Sequence, residues 1–372
     1  MVRRSNAGGR RETRPCPRRL KNGGEVADSA LTMPERILAL SREVSDVARR
    51  NVRDLQRITG RTKILALNSL IEAGRAGQAG RGFAVVAKEI GEFSAEVNRV
   101  TDGLQGALAA RLAELDRLGT QLVTNVRGTR LADLARNMIE IIDRNLYERS
   151  CDVRWWATDS AVVDCAAGPT AERRAHASRR LGVILDSYTV YLDLWVVDAR
   201  GTVLANGRPE RYPDAAGRQV AHEPWFRQAL ATRDGSAYAV ADIACNAGLG
   251  GRSVATYAAA IRAGGETYGE PTGVLGIFFD WEGQAQTVVD GVRLLDEERP
   301  RTRQLILDAH HRVLAASDRR GILAETFPLD TRGRTMGSYG DGAGSVVGFA
   351  LTPGYETYAG LGWYGVLVQR QG

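Results

Sequence analysis

Residues 64–87 read ILALNSLIEAGRAGQAGRGFAVVA, helix-forming on both sides of a centre dense in glycine. Gly74, Gly77 and Gly80 fall within seven residues, and each would cost a helix interior roughly 1 kcal/mol relative to alanine. A chain that concentrates them in one place reverses direction there, and the spacing predicts a bend near Gly77. The expected element is a helical hairpin whose tip, rich in small and charged residues, is built for protein contacts.

The flanks carry the period of a coiled coil. Before the bend, Ile37, Leu40, Val44, Val47, Asn51, Ile58, Leu65, Asn68 and Glu72 fall on spacings built from threes and fours, an a/d seam. After it, Phe83, Val86, Ile90, Phe93, Val97, Val100, Leu104 and Ala107 do the same without polar interruption. Two arms with one stripe each are expected to pair along those stripes, and the apolar surface left over predicts a second copy and a four-helix dimer. The seam turns polar near the tip, at Asn68 and Glu72 with Arg75 close by, and polar seam residues fix register or partner choice at a cost in stability.

These residues resemble the signalling tip of the methyl-accepting chemotaxis receptors. The likeness is carried by ALN at 66–68, IEA at 71–73, Arg75-Ala76-Gly77, the run from Gly80 to Ala87, and Glu89 beyond it. It implies a cytoplasmic hairpin that dimerises, joins into trimers of dimers and controls a histidine kinase through a coupling protein. By the resemblance, Asn68, Glu72, Arg75 and Phe83 sit at the trimer contact, while Arg81, Val85 and Val86 face kinase and coupling protein. The chain departs from the family at Lys63, Gly74 and Gln78. Between residues 34 and 148 it also has no adjacent Glu-Glu, Glu-Gln or Gln-Glu pair of the kind the family methylates.

Composition bounds the rest. A chain of 372 residues with 44% hydrophobic and 25% charged residues has material for two or three packed domains. The formal charge of +6 resides in residues 1–25, where eight Lys/Arg face two Glu. This tail lacks the apolar core of a secretory signal. It reads as a basic extension, or as sequence upstream of a true start at Met33, with weak attraction to nucleic acid or anionic lipid as the functional alternative. No run of ~18 apolar residues predicts a membrane span, and a cytoplasmic location follows as the expectation. Four cysteines and four histidines occur without metal-ligand spacing, so no metal or cofactor is predicted; Cys151 and Cys165 are close enough in sequence to bridge if their region folds suitably.

Beyond the hairpin, residues 120–192 keep a helical stripe through Leu131, Leu134, Met138, Ile141, Ile142 and Leu146, break at Gly168-Pro169, and resume over about 171–190. Trp155 and Trp156 are expected to anchor these helices in a core. From Tyr191 the period becomes strand-like. LWVVDARGTVLA and LILDAHHRVLA align almost residue for residue, an internal repeat of one strand-turn-strand unit. SVATYAAAI (253–261) and GVLGIFF (273–279) read as central strands of an antiparallel sheet, and the closing GWYGVLV as a last strand.

This half resembles the Cache sensor domains in their double form, a long helix packed against two PAS-like lobes. WVVDARGTVLAN, GRQVAHEPWFRQAL, Tyr238 to Asp242, SVATYAAAI and GVLGIFFDW fall in the order of a first lobe. The fold class expected is therefore α+β: an antiparallel helical hairpin, a long helix, then a double PAS-like antiparallel-sheet domain. The expected divisions are a basic tail (1–32), the hairpin (33–120), connecting helices (121–190), a first, ligand-binding lobe (191–300) and a second lobe (301–372). The resemblance implies a small ligand in the first lobe, with His222, Trp225, Phe226, Tyr238, Asp242, Tyr257 and Asp280 as candidate contacts. Amino-acid-sensing members carry an arginine two residues before the aromatic pair. Glu223 stands there, which disfavours a carboxylate and favours a cationic or neutral compound.

No nucleotide-binding loop, nucleophile elbow or catalytic triad emerges, and Glu297-Glu298 in LLDEERPRTR reads as a solvated linker. The resulting expectation is a non-enzymatic, chemoreceptor-like transducer that binds a small molecule, forms a homodimer and addresses a histidine kinase and its coupling protein, with no nucleic-acid partner. A ligand-binding dimeric scaffold without kinase coupling is the alternative.

Overall fold

The computed structural model describes residues 33–370; the basic tail and its reading lie outside them. By contacts the chain divides into two compact units, ending and beginning at Thr124 and Asn125. Helix α1 (Met33–Arg75) and the first part of α2 (Arg81–Trp156) make the first unit, joined by a 3-10 turn over Gly77–Gly80. Gly77 takes φ +59, a left-handed conformation that glycine adopts without penalty, so the bend falls where the glycine spacing puts it. Helix α2 shows no break at 120; it is one helix of 76 residues.

The arms run antiparallel. Arg42 Nε meets Asp116 at 3.1 Å, Gln56 Nε2 donates to Asp102 at 3.0 Å, and Thr59 Oγ1 donates to Asn98 Oδ1 at 2.5 Å. The face between them is not the expected apolar stripe. Ser45, Val52, Thr59, Ala66 and Ala73 on α1, then Gly80, Ala87, Ser94 and Thr101, are buried, one every seven positions straight through the turn, with Leu112 buried further along α2. Small side chains let the two backbones approach closely: a Cβ built on Gly80 would lie 2.1 Å from the Ala73 carbonyl oxygen. The stripe of Ile37, Leu40, Val44, Val47, Ile58 and Leu65, and its counterpart of Phe83, Val86, Ile90, Phe93, Val100 and Leu104, lies beside this contact and is exposed in the single chain, up to 75% at Phe83. Asn51, Asn68 and Glu72 share that outward line. The periodicity marks these residues as one stripe, but they do not lie between the two arms as expected.

In the second unit, α2 is followed by α3 (Ser160–Ala167), α4 (Ala171–Ser187), β1 (Tyr191–Asp198), β2 (Val203–Asn206), α5 (Pro224–Leu230), β3 (Ala239–Asn246), β4 (Arg252–Arg262), β5 (Pro271–Asp280) and α6 (Trp281–Asp290). A second set of strands comes next: β6 (Thr302–Leu307), β7 (Val313–Ala316), β8 (Met336–Gly340), β9 (Ser345–Leu351) and β10 (Tyr364–Arg370). The strands form two antiparallel five-stranded sheets of the same topology, β2-β1-β5-β4-β3 and β7-β6-β10-β9-β8. The sequence repeat reappears in atomic detail. Asp198 Oδ1 accepts from the amides of Arg200 and Thr202, and Asp308 Oδ1 accepts from those of His310 and Arg312. The left-handed turn position is glycine in one copy (Gly201, φ +85) and His311 (φ +64) in the other.

Residues 131–156 of α2 pack across both sheets. Leu131, Ala135, Met138, Ile142 and Leu146 are buried, and Gly348 and Gly365 leave room for the helix backbone: added Cβ atoms would meet Leu131 at 2.5 Å and the Ala135 carbonyl at 2.3 Å. Further along, Arg149 lies over the rings of Tyr191 and Phe279 at 5.0 and 5.4 Å, and the Tyr191 hydroxyl donates to Asp152 at 2.5 Å. Trp156 packs edge-on against Tyr188 and Tyr191 as an anchor, whereas Trp155 is 69% exposed, so the expected pair of anchors is one. Glu298 is no solvated linker residue either: it is buried, pairs with Arg130, and accepts from the Leu295 amide at 2.9 Å. Cys151, Cys165 and Cys245 are free thiols, so the 151–165 pair does not bridge.

Two outcomes follow. Gly80→Ala inserts a methyl into a backbone contact and should destabilise the hairpin by about 1–3 kcal/mol, whereas Gly103→Ala, with open space around it, should stabilise it by about 0.5–1 kcal/mol. All six tryptophans lie in residues 155–363, so the hairpin shows as the part of the circular-dichroism melt that tryptophan fluorescence does not report. Equal shifts in both variants would contradict the close contact.

The second concerns Asp143 on α2, whose carboxylate accepts from the Thr352 hydroxyl and from the Gly354 amide. Burial pushes its carboxyl up from the ordinary 3.8, against those hydrogen bonds and the nearby Arg136, which pull it down. An acid that holds its proton more tightly when folded stabilises the fold most at low pH and loses that contribution as pH rises from 3.8 through the raised value. Asp143→Asn keeps an acceptor for both donors, so its melting temperature should gain on the parent chain as pH rises through that window. A difference that stays flat or falls would refute the assignment.

Candidate functional site

The first sheet has two differently covered faces because its side chains alternate. On β4, Ala255, Tyr257 and Ala259 point into the core shared with α2, while Val254 and Ala258 join Trp195, Trp225 and Phe278 in a separate cluster under α5. Beside this second cluster opens a cavity of about 360 Å³, lined by Trp195, Arg218, His222, Glu223, Trp225, Asp242, Asn246, Gly248 and Thr256 among others.

Each wall has a local cause. Trp195 is held by Asp193, a buried carboxylate that accepts from the indole Nε1 at 3.0 Å, from Asn206 Nδ2 at 2.9 Å and from the amides of Leu194, Gly207 and Arg208. Burial raises the Asp193 carboxyl and these donors work against the rise. Pro224 opens α5 and projects Trp225 onto the sheet, edge-on to Phe278 at 5.9 Å. Asn246 caps the short turn that follows β3 by accepting from the Gly248 amide, and Gly248 itself leaves space: a Cβ there would lie 2.7 Å from the Trp195 ring and 2.9 Å from Arg218 Nε.

The cavity collects three of the seven residues expected from sequence. His222 lines it, exposed, with Nε2 3.3 Å from Glu223; Trp225 forms its apolar wall; Asp242 sits at its edge, its carboxylate 3.1 Å from Arg312. The other four are elsewhere. Phe226 is buried behind Trp225. Tyr238 and Tyr257 stack at 6.0 Å on the opposite face of the sheet, where the buried Tyr257 hydroxyl lies 3.4 Å from that of Tyr358. Asp280 is engaged by Arg252 at 2.9 and 3.1 Å. Sequence reading did not mark Trp195, Arg218 or Gly248. Arg218 is the chemically consequential omission, since its Nε is shielded from solvent and has no hydrogen-bond partner among the described residues.

At the hairpin tip, Asn68, Glu72, Arg75, Arg81, Phe83, Val85 and Val86 are all exposed, and Arg75 reaches Glu72 at 2.9 Å within its own helix. Among the described residues no group of three His, Cys, Asp or Glu side chains is placed to hold a metal, and no helix is long and apolar enough to cross a membrane.

Residues 16–144 match the methyl-accepting chemotaxis protein (MCP) signalling domain. Similar curated proteins include the toxin coregulated pilus biosynthesis protein I of Vibrio cholerae, 35% identical over 27% of this chain and 16% of that protein. Methyl-accepting chemotaxis protein I of Escherichia coli is 28% identical over 33% of this chain and 21% of its own length. The chain thus spans about a fifth or less of these relatives. Among solved structures, the sensor domain of the V. cholerae histidine kinase DctB aligns with a TM-score of 0.47 at 13% identity, over 68% of this chain and 98% of that one. The ligand-binding domain of the Pseudomonas fluorescens chemoreceptor CtaA, in complex with L-alanine, aligns at 0.44 and 18%, over 65% and 96%.

The contrast between Trp225 and His222 is measurable. Trp225→Ala should cost about 3–5 kcal/mol in urea denaturation followed by tryptophan fluorescence, and His222→Ala should stay within about 0.5 kcal/mol. Equal losses would place His222 in the core.

Proposed function

We propose that this chain is a chemoreceptor-like signal transducer. A small polar molecule enters the first-lobe cavity, and its binding biases a dimeric helical hairpin that controls a chemotaxis histidine kinase through the coupling protein. The observation that carries this reading is α2, one helix that begins at the glycine-rich tip with Arg81 and ends at Trp156, with its last turns bonded to β1 through Asp152 and Tyr191. The MCP match over the hairpin supports the output, and the exposed stripe beside the small-residue contact supports dimerisation, because a second copy would bury it. In this reading the tip residues Asn68, Glu72, Arg75 and Phe83 meet neighbouring dimers, Arg81, Val85 and Val86 meet kinase and coupling protein, and the chain works in the cytoplasm.

The cavity is mixed in charge. Arg218 offers a cation with an unpaired donor, and Glu223 and Asp242 offer carboxylates at the rim. Glu223 alone pointed to a cationic or neutral ligand; with Arg218 in the same cavity, a ligand carrying both a donor and an acceptor group fits better. Catalysis is not part of the reading.

The decisive experiment reconstitutes the full chain with a chemotaxis kinase and its coupling protein. Co-purification and altered autophosphorylation are expected, with both effects lost in Glu72→Ala or Arg75→Ala. A thermal-shift screen of metabolites should yield a ligand whose effect disappears in Gly248→Val, which fills the cavity. Ligand binding with no kinase association, indifferent to Glu72 and Arg75, would replace this reading with the dimeric scaffold.

A further inference from the structure

The second lobe has a cavity of its own, about 690 Å³, at the end of its sheet where α6 finishes, β6 begins and β10 ends. Four arginines line it: Arg299, Arg301, Arg303 and Arg370. Such a concentration is unfavourable unless negative charge answers it, and Asp290, Asp318 and Asp341 in the same lining answer part of it. Asp318 and Glu325 are both taken by Arg303, at 3.1 and 2.9 Å. Asp341 turns inward on its own loop and accepts from the amides of Ala343 and Ser345. Asp290 accepts from Gln286. Arg299 has Asp296 at 3.9 Å.

Arg301 and Arg370 are left without a charge partner among the described residues, and the Arg301 Nε is shielded from solvent with no acceptor. A guanidinium donor placed this way is half of a charge-assisted hydrogen bond; its planar fork matches the paired oxygens of a carboxylate or phosphate. We propose that this cavity is a second ligand site, for a small organic anion bearing carboxylate or phosphate groups, held by Arg301 and Arg370, the two arginines of the lining that no carboxylate among the described residues answers. The site is separate from the first-lobe cavity and does not depend on the reading given to it.

Inorganic phosphate and citrate, titrated into the full chain at constant ionic strength against chloride, test the assignment. Citrate or phosphate should raise the melting temperature beyond chloride, with a calorimetrically measurable affinity. Arg301→Gln and Arg370→Gln, each removing a side chain that supports no internal pair, should each weaken binding about tenfold or more while keeping the parent circular-dichroism spectrum. Arg200→Gln, at an exposed turn of the first lobe outside both cavities, should leave it unchanged. A response no larger than that of chloride, or one that survives both variants, would overturn the site. So would a chain that binds phosphatidylserine vesicles yet ignores both free anions.

Discussion

The packing of the second unit rests on one face of α2 being buried against two sheets at once. Leu131, Ala135, Met138, Ile142, Leu146, Val153 and Trp156 supply that face, and each large side chain among them contributes about 1.5–3 kcal/mol by leaving water. Apolar burial has no direction of its own and would tolerate a helix shifted along its axis. The position is set by polar contacts within the apolar seam: Asp143 with Thr352 and Gly354 on the second lobe, Asp152 with Tyr191 on the first. Gly348 and Gly365 have a matching role, because only a residue without Cβ admits the helix backbone at that height.

In the hairpin, side-chain size separates two jobs that a single stripe would confuse. The line Ser45, Val52, Thr59, Ala66, Ala73 closes the two arms on each other with little bulk, reinforced by Thr59 reaching Asn98. The larger side chains one position away, such as Val44 and Leu65, are thereby left facing outward. A heptad pattern read from sequence reports which residues avoid water in the final assembly, not which helix covers them.

That distinction explains much of what was legible and what was not. Strongly periodic or punctuated features could be read directly: the bend at Gly77, the strands around Asp198-Ala199-Arg200-Gly201, their repeat at Asp308, and the central strands β4 and β5. Strands β8 and β9 escaped, since MGSYG lacks a hydrophobic alternation and SVVGFAL is interrupted by the glycine that accommodates α2. The cavity was half legible. Trp225 and Asp242 stand out by type and place, but Tyr257 and Asp280 differ from them only in which face or end of a strand they occupy, and one residue of register decides that. Arg218 lies in an irregular loop after β2, where no period announces a direction, and its unpaired Nε is a property of three dimensions alone.

Strand β1 shows how the first-lobe cavity and α2 stand to one another. Trp195 faces the cavity, while Leu194 and Val196 face the core shared with α2, and Tyr191 at the start of the same strand bonds Asp152. A ligand can displace the helix only by the difference between its contacts in two arrangements of this strand, however tightly it binds. Trp195 is clamped by Asp193, whose five donors resist independent movement of the ring. A ligand that presses on Trp195 therefore works on β1 and on the strands β2 and β5 paired with it, and the helix joined to β1 by a side-chain hydrogen bond, Tyr191 to Asp152, is α2.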